Sequence, residues 1–196
     1  MHMSGYRLRK PGAAVLEGIA RMSQTRWNYW GEFALDIPVG VLLVQVGLRH
    51  SDIRPVAAIL TFLAGLALFS LIEYAFHRWL FHGSIRILAE GHREHHLHPL
   101  GYSGLPFFLP ALLLIGLAGL FALPLPIGYA LLLTGAIAMG YVTYGLSHFT
   151  IHHVRLRYSL PRRWAAHHHI HHFHPEGNFG VTSPLWDRVF ATRYQR

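Results

Sequence analysis

The sequence contains no cysteine and few charged residues. Only 13% of its 196 residues are charged, whereas about 25% are charged in a typical soluble domain. Without cysteine, neither a disulfide framework nor a thiolate metal site can form. Acidic residues are scarce, so the net charge is +8 with histidine neutral, in a chain that is 52% hydrophobic. This combination predicts a membrane protein with a basic cytoplasmic face and excludes a nucleic-acid-binding role.

Four apolar stretches divide the chain. They cover residues 33–48, 56–76, 105–122 and 126–147. The second has 21 residues, about 31 Å of α-helix, which matches the thickness of a bilayer's hydrocarbon core. The first is short and carries Asp36 and Pro38. We expect four transmembrane helices, and a shallow hairpin formed by the third and fourth stretches is the alternative.

Histidine is the residue type that this chain has in excess. Of its 17 histidines, 15 lie between His77 and His174. They form four clusters, HRWLFH at 77–82, HREHHLHP at 92–99, HFTIHH at 148–153 and HHHIHHFHP at 167–175. Imidazole is the commonest metal ligand in proteins. One such cluster could be a solvated surface tract, but four clusters on one predicted face indicate a metal site.

The predicted topology places all four clusters on the same side of the membrane. With four spans, that side also holds 15 of the 17 Lys and Arg residues, and only Arg49 and Arg54 lie opposite. Because basic loops stay in the cytosol, the clusters should be cytosolic. We therefore expect one all-α integral membrane domain with a cytosolic, histidine-rich helical cap that holds a di-metal centre. Its parts are an interfacial segment (1–32), four spans (33–147) that include a 77–104 loop with the first two clusters, and the cap (148–196).

Helical spacing selects ten candidate ligands. They are His77, His82, His92, His95, His96, His148, His152, His168, His171 and His172. In an H-x-x-H-H pattern, positions i, i+3 and i+4 share one face of a helix, and in the last cluster only His168 can begin this pattern. His77 and His82 are five apart and cannot point the same way on a regular helix. We expect the helix to end near His82, so that His82 turns back. Ten imidazoles suit two ions with four or five ligands each.

Other polar residues near the clusters are expected to support the ligands. The candidates are His153, His169, Tyr144, Glu73, Glu94, Glu176 and Asp187. A carboxylate that accepts a hydrogen bond from a metal-bound imidazole fixes its tautomer, although each acidic residue could equally form a surface ion pair. The basic stretch 155–163 is expected to attract anionic lipid; docking of an acidic electron donor is the alternative.

These clusters carry a resemblance to a known family. HRWLFH, HREHH, HFTIHH and HHHIHH, followed by NFGVTSPLWDRVFAT, resemble the fatty acid hydroxylase superfamily of membrane di-metal oxygenases. The resemblance extends from about Glu73 to Thr192 and is greatest to the fatty acid 2-hydroxylases that act on sphingolipid acyl chains. It implies two iron ions, O2 as co-substrate and hydroxylation at C2 of a fatty acyl chain, free or in ceramide. Zinc can replace iron in purified protein, because imidazole sites bind zinc more tightly than ferrous iron.

The resemblance also implies partners and leaves alternatives open. Many eukaryotic relatives carry a fused haem domain of the cytochrome b5 type, which this sequence does not supply. We therefore expect an external electron donor of the cytochrome b5 or ferredoxin type, a membrane lipid substrate, and a bacterial inner membrane rather than the endoplasmic reticulum. Sterol or carotenoid hydroxylation or desaturation on the same scaffold is the alternative activity. A non-catalytic metal-binding or metal-transport protein is the alternative from another class, although a transporter should place its ligands near the bilayer midplane.

Overall fold

The computed structural model describes residues 18, 19, 21–50 and 53–195, with Ile87 described by its backbone alone. Its regular elements in that part of the chain are all helices. They are α1 (Arg26–Leu48), α2 (Pro55–Ala75), a π-helix that continues α2 (Phe76–Phe81), α3 (Arg86–Leu97), α4 (Leu109–Phe121), α5 (Ile127–His153), α6 (Ser159–Phe173) and α7 (Leu185–Val189). Much of the predicted interfacial segment 1–32 lies outside the described residues, and its last residues belong to α1.

Three helices are long and apolar enough to cross a membrane. They are α1, α2 with its π-helical extension, and α5, with 23, 27 and 27 residues. Apolar side chains such as Leu60, Leu63 and Leu113 are exposed on the outside of the bundle, as expected of a surface that faces lipid. Helix α4 has only 13 residues, about 20 Å, and does not reach across the hydrocarbon core alone.

The segment that contains α4 nevertheless extends along the full length of α1. At the start of α1, the side chain of Asn28 donates to Leu105 O (2.7 Å) and accepts from Phe107 N (2.9 Å). Beyond the other end of α1, Gly128 packs so closely that a Cβ atom there would lie 2.8 Å from Cβ of His50. Residues 105–126 therefore connect the two ends of the bundle, with α4 as the helical part of the crossing.

Helix α5 forms the centre of the bundle. More than half of the residues in its most apolar 18-residue stretch are buried, compared with about a quarter in α1 and fewer in α2. Small residues bring the helices together: a Cβ atom on Gly65 of α2 would lie 2.5 Å from Cβ of Ala136 on α5. Such close approaches are typical of helix packing in membranes, where van der Waals contact replaces the hydrophobic effect between helices.

The remaining helices and the C-terminal segment cover one end of this bundle. Helices α3 and α6 lie where α2 and α5 end, and the chain after α6 folds back onto α2. Glu73 of α2 accepts hydrogen bonds from Val181 N (2.7 Å) and Thr182 N (2.9 Å), and the hydroxyl of Tyr74 lies 2.9 Å from that of Thr192. The 77–104 connection, predicted as a loop, is largely helical because the π-helix and α3 occupy it.

Candidate metal centre

The ten predicted ligands lie together in two groups of five. Group A contains His77, His82, His92, His96 and His171, and group B contains His95, His148, His152, His168 and His172. Within each group, one ring nitrogen of every member lies within 4.8 Å of the others. Both groups lie at the end of the bundle where α2 and α5 terminate, and not near the middle of the spans. This position does not match an ion path through the membrane.

A π-helical turn brings His77 and His82 into the same group. The sequence predicted that two residues five apart cannot share a face of a regular helix, so that His82 would have to turn back. The helix does end there, since His82 is its C-cap, but the turn is widened and not broken: Phe76–Phe81 is π-helical, and the N–H of His82 donates to His77 O at 3.2 Å. An i→i+5 hydrogen bond widens the turn, so residues five apart lie one above the other. Single π-turns of this kind are frequent at functional sites.

Helices α3 and α6 each contribute histidines to both groups. On α3, His92 and His96 (i, i+4) belong to group A and His95 to group B. On α6 the arrangement is reversed, since the i, i+4 pair belongs to group B and His171 to group A. Positions i+3 and i+4 diverge by about 100° around a helix, so a single H-x-x-H-H pattern can serve two adjacent centres. The two groups thus have matching compositions, with two i, i+4 or i, i+5 pairs and one lone histidine each.

The spacing of the ring nitrogens fits a shared metal ion. In group A, Nε2 of His92 lies 3.0 Å from Nε2 of His77, 3.1 Å from that of His82 and 3.0 Å from that of His96. Two nitrogens that each lie about 2.1 Å from one ion, at right angles, are about 3.0 Å apart. Hydrogen bonds do not explain this convergence, because a neutral imidazole carries one N–H and cannot satisfy several ring nitrogens at once.

Group B has the same geometry. Nε2 of His168 lies 3.1 Å from Nε2 of His148, 3.1 Å from that of His152 and 3.1 Å from that of His172. Nε2 of His95 is buried and has no hydrogen-bond partner. Buried polar atoms without a partner are uncommon and costly, and ligation would satisfy this one. The donor set of both groups therefore fits a divalent transition metal ion that prefers imidazole.

Burial keeps these imidazoles in the neutral form that binds metal. It lowers the pKa of His82 to about 4, with a further contribution from His96. It also lowers the pKa of His95 and of His171 to about 3, where neighbouring histidines add to the effect. The folded protein thus presents a set of neutral imidazoles at physiological pH, which are competent ligands without prior deprotonation.

Backbone carbonyl groups orient two ligands of group A. Nδ1 of His77 donates to Phe179 O at 2.5 Å, and Nδ1 of His171 donates to Gly177 O at 2.7 Å. These bonds leave the Nε2 lone pairs free to bind a metal ion. Between the two acceptors lies Asn178, which has a positive φ of 58°. Sequence reasoning named only side-chain acceptors; the Gly177–Asn178 pair, typical of a turn, was the available signal.

Asp187 holds this carbonyl-bearing segment in place. Its buried carboxylate accepts from the backbone N–H of Phe179 (2.8 Å) and Gly180 (2.9 Å), from the Thr192 hydroxyl (2.8 Å) and from Nε2 of His167 (2.9 Å). Burial alone would raise its pKa, but the hydrogen bonds from His167, Gly180 and Thr192 hold the pKa below its usual value. Asp187 thus acts on the ligands through the backbone and not through a direct bond to a group A or group B imidazole.

The other predicted supporting residues fall into two sets. Two lie close to the centre: Tyr144 stacks on His148 with ring centroids 5.9 Å apart, and Glu73 anchors residues 181 and 182 without contacting an imidazole. The rest form no hydrogen bond to a ligand. His153 stacks on Phe149, exposed His169 contacts the ring of His152 with centroids 5.7 Å apart, and Glu94 and Glu176 pair only with His98 and His174. All four are exposed, three on helices and Glu176 in the loop after α6, so solvent supplies their hydrogen bonds.

Comparison with known proteins identifies the family. Residues 62–192 match the family model "Fatty acid hydroxylase". Dihydroceramide fatty acyl 2-hydroxylase FAH2 of Arabidopsis thaliana is 30% identical over 180 residues, which cover 86% of this chain and 74% of that protein. Fatty acid 2-hydroxylase of Macaca fascicularis is 35% identical over 150 residues, which cover 67% of this chain and 38% of that protein.

A solved structure has the same fold. The structure of full-length scs7p, in which only the hydroxylase domain is visible, superposes with a TM-score of 0.76 and 29% sequence identity. The match covers 89% of this chain and 69% of that chain. The resemblance noted from the histidine clusters and the C-terminal segment is therefore confirmed. This chain belongs to the fatty acid hydroxylase family, whose members are hydroxylating monooxygenases.

Proposed function

We propose that this protein is an O2-dependent lipid hydroxylase that places a hydroxyl group at C2 of a fatty acyl chain, free or within ceramide. The observation that carries the proposal is the pair of five-histidine groups at the end of an apolar helix bundle. The substrate class comes from relatives named as dihydroceramide fatty acyl 2-hydroxylase and fatty acid 2-hydroxylase. Some of these relatives are considerably longer than this chain.

Two iron ions are the proposed cofactors, one held by group A and one by group B. When bound, they would supply the activation of O2 and the cleavage of an unactivated C–H bond, which acid–base side chains cannot perform. The protein's own share is to keep the ligands neutral and oriented, through burial and through the carbonyl groups of Gly177 and Phe179. The buried imidazoles of His77, His95, His168 and His171 also exclude water from the reacting atoms. Zinc is expected to compete for the same sites in purified protein.

We propose four membrane crossings with the metal centre on the cytosolic side. The passage of residues 105–126 along α1 supports the fourth crossing, although α4 itself is short. The excess of Arg and Lys on the side of the clusters supports the orientation. The two 2-hydroxylases described above come from a plant and a primate, so the expectation of a bacterial inner membrane finds no support in them.

Single-cysteine labelling tests this topology, because the chain has no cysteine of its own. In sealed vesicles of known orientation, an impermeant maleimide should label Arg93→Cys and Arg157→Cys only from the cytosolic side. It should label Arg54→Cys and Leu123→Cys, the second at an exposed position after α4, only from the opposite side. Labelling of Leu123→Cys from the cytosolic side, or from neither side as a shallow hairpin would require, would contradict the fourth crossing.

A basic surface next to α6 is proposed to contact anionic lipid headgroups. Arg155, Arg157 and Arg162 border an open depression there, and Tyr158 and Leu160 are largely exposed beside them. Exposed aromatic and aliphatic groups among arginines are typical of a segment that lies in the membrane interface. The electron donor, proposed to be a protein of the cytochrome b5 or ferredoxin type, would approach the remaining cytosolic face.

Mass spectrometry of lipids under isotopically labelled O2 tests the function. Wild-type protein, loaded with iron in vesicles that contain ceramide and a reduced electron donor, should add one labelled oxygen atom to the acyl chain at C2. His171→Ala should form no product, and His98→Ala, which removes an exposed imidazole that contacts neither group, should retain activity. Product that appears in a sterol or carotenoid, or an unchanged acyl chain with iron-loaded protein, would overturn the proposal.

A further inference from the structure

Two buried acidic side chains in α1 have no part in the metal centre. Glu32 and Asp36 lie one helical turn apart and are only 5% and 1% exposed. Glu32 accepts a hydrogen bond from the hydroxyl of Tyr141 on α5. Both carboxyl oxygens of Asp36 lack a hydrogen-bond partner. Within the described part of the chain, neither group forms an ion pair.

This environment requires the pair to hold a proton. Two ionised carboxylates one turn apart in an apolar bundle would be unpaired charges of the same sign, which is strongly unfavourable. The same environment disfavours a purely structural role, because an apolar side chain at position 36 would remove two unsatisfied oxygen atoms. Ionisable residues inside a membrane span more often serve transfer of protons or ions.

Glu32 lies next to the loop that also borders a cavity at group B. The loop that precedes α4 covers Glu32, and a Cβ atom on exposed Gly104 would lie 2.8 Å from Oε2 of Glu32. A cavity of about 20 Å³ borders the same loop at Tyr102 and Ser103. It is also lined by Tyr29, Phe149, His153 and the group B histidines His95, His148 and His152. Tyr29 lies on α1 one turn before Glu32. A cavity of this size has room for about one water molecule, enough to connect the loop with the metal centre.

The hydroxylation consumes two protons for each hydroxyl group that it forms. Its balance is R–H + O2 + 2 e⁻ + 2 H⁺ → R–OH + H2O, with both electrons from the reduced electron-transfer protein. The ligand imidazoles are neutral, and their Nε2 atoms are the ones that face the metal sites. We propose that Glu32 and Asp36 form a proton-donating pair that delivers protons to the metal centre through the Tyr29 cavity and is reprotonated from solvent at the 103–104 loop. This inference rests on the proposed function.

Infrared spectroscopy of the metal-free protein tests whether the pair holds an exchangeable proton. The chain has only nine Asp and Glu residues, so the C=O stretch of a protonated carboxylic acid can be observed in the wild-type protein directly. At neutral pH we expect such a band, its shift in D2O, and its loss or displacement in Glu32→Gln and Asp36→Asn. The absence of the band from wild-type protein, or a band that does not shift in D2O, would overturn the proposal, even if a variant fails to fold.

Turnover measurements test whether the proton is used. Glu32→Gln preserves an acceptor for Tyr141 but cannot release a proton. With unchanged metal content we expect its turnover to fall by a factor of about ten or more. We also expect more H2O2 to be released for each molecule of hydroxylated lipid. Glu32→Asp should recover part of the loss. Thr134→Val is the matched control, because Thr134 is buried in the same bundle and its hydroxyl bonds only to Ala130 O.

The outcomes separate the two proposals. If wild-type protein forms no hydroxylated lipid, the proposed function fails, whereas the infrared result still decides whether the pair holds an exchangeable proton. If wild-type protein hydroxylates lipid and Glu32→Gln and Asp36→Asn match its turnover and O2 coupling, the proton-donating pair is excluded.

Discussion

His92 and His168 occupy equivalent positions in the two groups. Nε2 of each lies within about 3 Å of three other ring nitrogens of its group. Both are the first residue of an H-x-x-H-H pattern, one on α3 and one on α6. The position i+3 of each pattern serves the other group, so every such helix connects both centres. The group to which a substituted histidine belongs should therefore predict which of the two metal ions is lost.

Metal stoichiometry should show which centre each histidine serves. We expect His82→Ala to lower the iron content from two ions per chain to one through loss of the group A ion, and His152→Ala to do the same through group B. The double variant should bind no iron, because the two losses are independent. Iron and zinc are to be measured by elemental mass spectrometry of detergent-purified protein.

Exposed histidines provide the controls for this experiment. His98→Ala and His174→Ala each remove an imidazole from the residue that follows α3 or α6, and neither ring contacts a group A or group B histidine in the described part of the chain. Both should retain two ions per chain. A double variant of His82 and His152 that still holds one ion would show that the partition into groups A and B is wrong.

Asp187 is expected to support metal binding without contacting a ligand. Asp187→Ala removes the acceptor of four hydrogen bonds, two of them from the backbone on either side of the Phe179 carbonyl. Loss of an outer group of this kind typically costs 10–100-fold, or about 1–3 kcal/mol, in metal affinity. Competition with a chelator would measure this loss, with Glu176→Gln, an exposed partner of His174, as the control. Equal affinity in both variants would show that the 177–180 segment does not need Asp187.

At the level of helices, the π-turn decides whether the first cluster can work as a unit. The five-residue spacing indicates that a regular α-helix cannot point both histidines to one side. It does not indicate whether the helix ends between them or continues with a wider turn. The structure widens it at Phe76–Phe81, where the chain leaves the bundle and the backbone is free to change its hydrogen-bond pattern. Apolar length predicted three of the membrane helices, because a span must match the bilayer. It did not predict that α1 begins at Arg26, before the apolar stretch 33–48, or that the stretch 105–122 contains a helix of only 13 residues.

Close contact between α2 and α5 contributes to the stability of the bundle. Gly65→Ala would place a Cβ atom 2.5 Å from Cβ of Ala136 and 2.8 Å from Leu133 O. Overpacking of this kind costs about 1–3 kcal/mol, so we expect a lower Tm in detergent. Gly116→Ala on α4, where no atom lies within 4 Å of the new Cβ, should be neutral or stabilising by up to about 1 kcal/mol. Similar Tm values for the two variants would contradict the close contact.

At the level of the whole molecule, the histidine clusters make stability depend on pH. In the metal-free protein the pKa of His82 is about 4 and those of His95 and His171 are about 3, whereas an unfolded histidine titrates near about 6.5. The unfolded chain therefore binds more protons on acidification. These residues contribute their full stability above about pH 6.5, and this stability is lost as the pH falls towards the pKa values of the folded state.

Thermal unfolding of metal-free and metal-loaded protein should reveal this dependence. We expect the Tm of the metal-free protein to fall between about pH 7 and about pH 5. At neutral pH, metal should raise the Tm, because an ion that binds only the folded state stabilises it by mass action. A Tm of metal-free protein that does not change over this pH range would show that the imidazoles are solvated and not clustered.

The sequence by itself determined the helical, membrane-embedded class and the ten histidines that lie together. Both follow from local sequence patterns. The length of an apolar stretch predicts a membrane-spanning helix, and histidines three and four residues apart lie on one face of a helix. The tertiary structure decided how the ten histidines divide into two groups. One helix can face both metal sites, and only the packing of the helices against each other decides which histidine belongs to which site. It also decided the supporting groups. The Gly177–Asn178 pair indicates a turn, but every residue has a backbone carbonyl, so the sequence does not show that those of Gly177 and Phe179 accept hydrogen bonds from ligands.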